Sequence, residues 1–198
     1  MNIISFIPKT FASNCYVLHT DGVGVVIDPS IPYNDFLSRG GKSGAIQIKY
    51  IIITHSHFDH FLCIEDWIKN TNATVLVGVD DGPALSDPYL NCYKLFMNSC
   101  LSYNGEYKAL QDGENIMVGE ETITVISTPG HTKGAIAIIT DDSAFVGDTV
   151  FAQGGIGRTD LPGGNYSMLM ASIEKIRLLP KGMVIYPGHG EFTYSEKI

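Results

Sequence analysis

The chain has 198 residues, enough for one large domain or two small ones, and 44% hydrophobic residues with a mean hydropathy of +0.10 read as a globule; nothing in it looks like a linker, and a single domain over 1–198 is expected. A formal net charge of −8 excludes non-specific nucleic-acid binding, which needs clustered Lys and Arg to neutralise phosphates. No apolar run approaches the ~20 residues that span a bilayer, and Met1-Asn2-Ile3-Ile4-Ser5-Phe6 lacks the basic start and cleavage site of a signal peptide, so no membrane partner and a cytoplasmic location are expected.

Strand-like runs fall at 2–7, 15–20 and 23–28, with Asp21-Gly22 marking a tight hairpin between the second and third. A weak helical pattern at about 32–39 precedes a strand at 49–54, a helix at 61–70 and a strand at 74–78. Segment 80–112 mixes aromatic and polar residues, includes a helix candidate at 89–103, and is expected to pack beside or over a pocket entrance. Strands follow at 122–127, 135–140 and 143–147. The best helix is 166–178, with Leu169, Ile173, Ile176 and Leu179 at helical spacing, before a last strand at 182–186. Strands in both halves with helices between them suit two sheets packed face to face with helices outside, an α+β architecture. Cys15, Cys63, Cys92 and Cys100 form no C-x-x-C pair and read as reduced thiols. Cys63, three residues after His60, reads as a small buried hydrophobe.

The chemistry is concentrated at strand ends. Thr54-His55-Ser56-His57-Phe58-Asp59-His60 reads H-x-H-x-D-H directly after Tyr50-Ile51-Ile52-Ile53. Three further ligand-type residues follow apolar runs in the same way: His131 in Thr128-Pro129-Gly130-His131-Thr132, Asp148 in Phe145-Val146-Gly147-Asp148-Thr149, and His189 in Pro187-Gly188-His189-Gly190. Loops held at strand ends by a rigid sheet are where catalytic groups tend to sit. Histidines this close would repel one another if protonated, whereas a metal binds their neutral forms and accounts for their number. Imidazole and carboxylate together suit zinc, iron or manganese better than calcium or magnesium. His19, alone in Tyr16-Val17-Leu18-His19-Thr20, reads as an ordinary strand residue.

With His55, His57, Asp59, His60, His131, Asp148 and His189 in this order and context, the chain closely resembles the metallo-β-lactamase superfamily, from Asn14-Cys15-Tyr16 to Pro187-Gly188-His189-Gly190. The resemblance implies a four-layer αββα sandwich with two divalent metal ions at one edge of the sheets, zinc first and iron or manganese as alternatives. It implies that His55, His57 and His131 hold one ion, that Asp59, His60 and His189 hold the other, and that Asp148 bridges them. Asp59 and Asp148 would also serve catalysis. Asp28, in Ile27-Asp28-Pro29, resembles the family's structural aspartate and would orient a ligand histidine. Gly155-Ile156-Gly157-Arg158-Thr159-Asp160-Leu161 looks like the glyoxalase II branch and its persulfide dioxygenase relatives, in which Arg158 would grip a thiol-bearing substrate.

The implied activity is binuclear hydrolysis of a small-molecule thioester such as an S-acylglutathione, by water activated between the metals. The alternatives are a mono-iron persulfide dioxygenase or a hydrolase of another ester, lactone or phosphoester. Two departures from the family pattern stand out. Only Glu191 to Ile198 follow Gly190, where glyoxalase II continues into a helical domain that supplies much of its glutathione site. Phe61 and Leu62 replace the usual small residues after the D-H pair and are expected to reshape the pocket wall beside the second metal.

Overall fold

The computed structural model describes residues 1–39, 45–97 and 99–198. Among these residues the strands form two six-stranded sheets. In chain order the first contains β1 (Asn2–Phe6), β2 (Cys15–Thr20), β3 (Val23–Ile27), β4 (Gln47–Ile53), β5 (Thr74–Gly78) and β6 (Lys108–Leu110), and this is also their spatial order. The second contains β7 (Asn115–Val118), β8 (Glu121–Ser127), β9 (Ile136–Ile139), β10 (Ser143–Gly147), β11 (Val184–Pro187) and β12 (Thr193–Tyr194), again in spatial order. The hairpin between β2 and β3 turns on Asp21 and Gly22, both at positive φ (50° and 76°), as a type I′ turn requires.

Successive side chains of a strand point to opposite faces, and this alternation sorts the residues into three apolar layers. Tyr16, Leu18, Val25, Ile27 and Ile52 from the first sheet meet Ile123, Val125, Ile136, Ile138 and Phe145 from the second, filling the space between the sheets. Their neighbours Val17, Val26, Ile51 and Ile53 face outward onto Phe36 of α1 (Tyr33–Ser38) and Trp67 of α2 (Ile64–Thr71). Trp67 is fully buried, and its indole N–H donates to the Ile31 carbonyl at 2.8 Å, so no donor is stranded. On the far side, Leu169, Ile173 and Ile176 of α4 (Tyr166–Arg177) press onto Ala137, Ala144 and Val146, whose small size lets the helix lie close. The result is the four-layer αββα sandwich. Asn165 caps α4, its side-chain oxygen accepting from the Met168 N–H at 3.0 Å.

Three short strands, β6, β7 and β12, were not expected. The helix expected over 89–103 is reduced to α3 (Tyr93–Met97), with Asn98 outside the described residues. Cys92 at φ 67° breaks helical geometry just before α3. The helix expected from 61 begins instead at Ile64, because Phe58–His60 form a separate 3-10 turn that aims Asp59 and His60. No helix among the described residues is long and apolar enough to cross a membrane.

Candidate metal centre

Each residue of the site stands just beyond a strand: Asp28 after β3, His55 to His60 after β4, Asp81 after β5, His131 after β8, Asp148 after β10 and His189 after β11. Folding therefore gathers at one edge of the sandwich segments separated by up to 161 residues of chain (Asp28 to His189). His55, His57 and His131 offer ligand atoms within 4.8 Å of one another, and so do His55, His60 and Asp148, and Asp59, His60 and His189. Asp148 lies between the two outer sets, its oxygens 3.4 Å from His60 Nε2 and 3.6 Å from His131 Nε2. His189 Nε2 is 3.1 Å from Asp59 Oδ2. Two atoms each ~2.1 Å from a common ion at a tetrahedral angle stand ~3.4 Å apart, so these separations suit shared coordination.

The supporting hydrogen bonds decide which imidazole nitrogen faces the centre. Asp28 Oδ2 holds His60 Nδ1 at 2.8 Å, and the Arg158 carbonyl holds His131 Nδ1 at 2.8 Å. In both rings Nε2 is left pointing inward. His57 Nε2, His60 Nε2, His131 Nε2 and Asp148 Oδ1 are buried without hydrogen-bond partners. Unpartnered buried polar atoms cost about 1–3 kcal/mol each, so four converging on one spot are the signature of a site built for a ligand. A divalent cation fits this donor set, and nitrogen with carboxylate oxygen matches zinc, iron or manganese.

Electrostatics follow from the same packing. Burial and the neighbouring imidazoles push His55 well below the ordinary histidine pKa, and burial with His131 takes His57 down to about 3. Both rings are thus neutral and ready to coordinate. His60 goes the other way: burial would lower it, but Asp28, Asp59 and Asp148 outweigh burial and hold it well above the ordinary value. Burial opposes ionisation of Asp148 and Asp59, yet His60 overrides it and keeps both carboxyls below the usual carboxylate range.

Asp81 was not anticipated. It is 2% exposed, and its carboxylate accepts from the Ser56 N–H, the Thr132 hydroxyl and the Gly134 N–H, each at 2.7 Å. It thereby ties the loop carrying His55 and His57 to the loop carrying His131. Its signal was the one the other residues gave, an acidic residue just after a strand in Val79-Asp80-Asp81-Gly82. Gly188 was also silent in the sequence. A Cβ there would lie 2.1 Å from Asp148 Oδ1, so only glycine lets the β11 loop pass the carboxylate.

The remaining expectations divide. Asp28 sits behind His60 at φ 52°, its carboxylate also accepting from the Thr54 N–H and hydroxyl. Cys63 packs against the apolar layer under α2 and is absent from the ligand clusters, and His19 is an unremarkable residue of β2. Phe61 and Leu62 do not wall the pocket: Phe61 is fully buried in the layer beneath α2 and Leu62 packs on it. Segment 80–112 does border the pocket, through Cys92, Phe96 and Met97. Arg158 lines it too, but its guanidinium is held by Asp160 in a two-pronged contact (Nε to Oδ1 2.7 Å, NH2 to Oδ2 2.6 Å). The fork expected to clasp a substrate carboxylate is thus already engaged.

Comparison with known proteins agrees with this fold. Residues 8–189 match the model of the metallo-beta-lactamase superfamily. A Bacillus subtilis protein described as "Probable metallo-hydrolase YqgX" is 29% identical over 91% of this chain and 86% of its own length. The hydroxyacylglutathione hydrolase GloC of Haemophilus influenzae is 31% identical over 96% of this chain and 92% of its own. The crystal structure of the BLEG-1 B3 metallo-beta-lactamase superposes with a TM-score of 0.89 at 29% identity, covering 99% of this chain and 95% of that one. The chain belongs to the metallo-β-lactamase superfamily.

Proposed function

We propose that the chain is a metal-dependent hydrolase of thioesters, with His55, His57 and His131 holding one ion, Asp59, His60 and His189 a second, and Asp148 between them. The observation that carries this reading is the set of inward-facing, unpartnered nitrogens of His57, His60 and His131 beside the Asp148 carboxylate, with His57, His131 and Asp148 lining a cavity of about 410 Å³. The hydroxyacylglutathione hydrolase relative supports the thioester class. Bound ions would supply Lewis-acid polarisation of the acyl carbonyl and a lowered pKa for water.

The residues of the chain supply the rest. His57, Asp59, His131 and Asp148 are accessible from the cavity, so a substrate carbonyl reaches the centre there. The Asp28–His60 and Arg158–His131 contacts hold two rings in fixed orientation and tautomer, which limits reorganisation during turnover. Asp59, whose Oδ2 lies 3.1 Å from His189 Nε2, would take up the proton released when water adds to the acyl carbon. A thiolate is a good leaving group and needs little acid assistance.

The test is thiol release from S-lactoylglutathione and from neutral thioesters by zinc-loaded protein under anaerobic conditions, with EDTA-treated protein as control. Metal-dependent release supports the reading. Absence of release, or turnover requiring one iron and consuming oxygen, overturns it, the latter in favour of persulfide dioxygenation.

A further inference from the structure

The cavity above the histidine cluster has walls of a different character from its floor. Its floor is polar, but its walls are Phe11, Phe96, Met97, Phe151, Ile156 and Leu161. Four of these are exposed apolar side chains: Phe11 (57%), Phe96 (53%), Ile156 (41%) and Met97 (37%). Isolated exposed apolar residues are ordinary, but here three segments distant in sequence bring theirs to one mouth, and such a patch marks a binding surface. Phe58, between His57 and Asp59, joins the walls to the floor, its ring centroid 6.0 Å from Phe11 and 6.3 Å from Phe96.

Charge points the same way. Arg158 is the sole Lys or Arg among the described residues lining the cavity, and Asp160 occupies its guanidinium. Asp59 and Asp148 also border the space. Glutathione brings two carboxylates and one ammonium, and among the described residues lining this pocket no basic side chain stands outside the Arg158–Asp160 pair to receive the carboxylates.

Resting on the thioester-hydrolase reading, the geometry points to a substrate whose acyl group is apolar, a medium-length alkyl chain or an aromatic ring, lying along the Phe11–Phe96–Ile156 wall, with no anionic carrier gripped by the pocket. Hydrolysis adds the water oxygen to the acyl carbon and breaks the C–S bond, and the thiolate leaves with the electron pair. The products are a carboxylate, a thiol and one proton.

The experiment measures kcat/KM of the zinc-loaded protein for acetyl, hexanoyl and benzoyl thioesters of N-acetylcysteamine, beside S-lactoylglutathione. Each fully buried methylene is worth roughly fourfold. In this half-open pocket hexanoyl should therefore exceed acetyl by at least ~10-fold overall, and S-lactoylglutathione should fall below hexanoyl. Phe96→Ala should narrow the hexanoyl-to-acetyl ratio, and Ile156→Ser, on another wall, should narrow it independently. A flat chain-length profile, or preference for S-lactoylglutathione, overturns the inference while leaving the hydrolase reading intact. If no thioester turns over, that reading falls and calorimetry decides the pocket's character. Hexanoate binding several-fold more tightly than acetate, with the difference reduced in Phe96→Ala, supports the apolar subsite, and equal binding overturns it.

Discussion

Asp81→Ala removes the acceptor of three hydrogen bonds, leaving the Ser56 N–H, the Gly134 N–H and the Thr132 hydroxyl buried without their partner. At about 1–3 kcal/mol per unsatisfied group, with entering water lowering the sum, the expected loss is about 3–5 kcal/mol. For a chain of this size that corresponds to a fall of roughly 10 °C in Tm. The loss should be read by urea and thermal unfolding with chelator present, so that metal binding does not mask it. A zinc titration should show weaker binding as well, because both loops tied by Asp81 carry histidines of the centre. Asp81→Asn keeps one acceptor oxygen but sets an NH₂ against one of the donors, and should lose about 1–3 kcal/mol.

The pH dependence has a defined sign. Burial raises the Asp81 pKa in the folded protein, so its ionisation penalises folding: the stability it confers is fully present below the unfolded-state pKa and falls as pH climbs through the raised value. Asparagine carries no such penalty, and the deficit of Asp81→Asn relative to the parent should shrink as pH rises across that window. An Asp81→Ala protein within about 1 kcal/mol of the parent, with unaltered zinc binding, would refute the reasoning.

The other expectations concern the centre itself. His57→Ala should lose one equivalent of metal and most turnover, read by elemental analysis and thioester assay; full metal content with full activity would remove His57 from the ligands. Asp28→Asn takes the carboxylate from His60 Nδ1 and should weaken binding of one zinc by roughly 10–100-fold in a competition titration, with the other ion less affected. Gly188→Ala places a methyl 2.1 Å from Asp148 Oδ1, so activity should fall at least ~10-fold with an unchanged circular dichroism spectrum, the cost being a displaced ligand rather than an altered fold. Asp160→Ala frees the Arg158 fork from a surface ion pair worth at most about 1 kcal/mol, so KM for S-lactoylglutathione should drop by no more than ~5-fold. An unchanged KM would separate Arg158 from the substrate.

Much of the centre was legible in the sequence because its residues obey a local rule. His55, His57, Asp59, His60, His131, Asp148 and His189 each follow an apolar run that folds as a strand, and chemistry-bearing residue types there stand out against Gly and Pro. In β2, β3 and β4 alternate side chains face the other sheet and the helices, but Val25-Val26-Ile27 and Ile51-Ile52-Ile53 are apolar on both faces, so packing chose which set faces which layer. The strands missed, β6, β7 and β12, have two to four residues and no long apolar run to mark them, and they exist because neighbouring strands supply their hydrogen bonds.

Tertiary structure alone decided the rest. Asp81 spans 51 residues to Thr132 and 53 to Gly134, and nothing local to Asp80-Asp81-Gly82 reveals those donors. The Arg158 carbonyl, not only its side chain, serves the site, because the chain after Asp148 loops back over His131, and a backbone acceptor has no sequence signature. The pocket wall arises where Phe11, Phe96 and Ile156 meet from three distant segments. Residue type and position beyond an apolar run thus marked the candidate groups of the centre. The closing of long loops determined how those groups are held and what they face, because contacts between distant segments exist only once the sheets have brought them together.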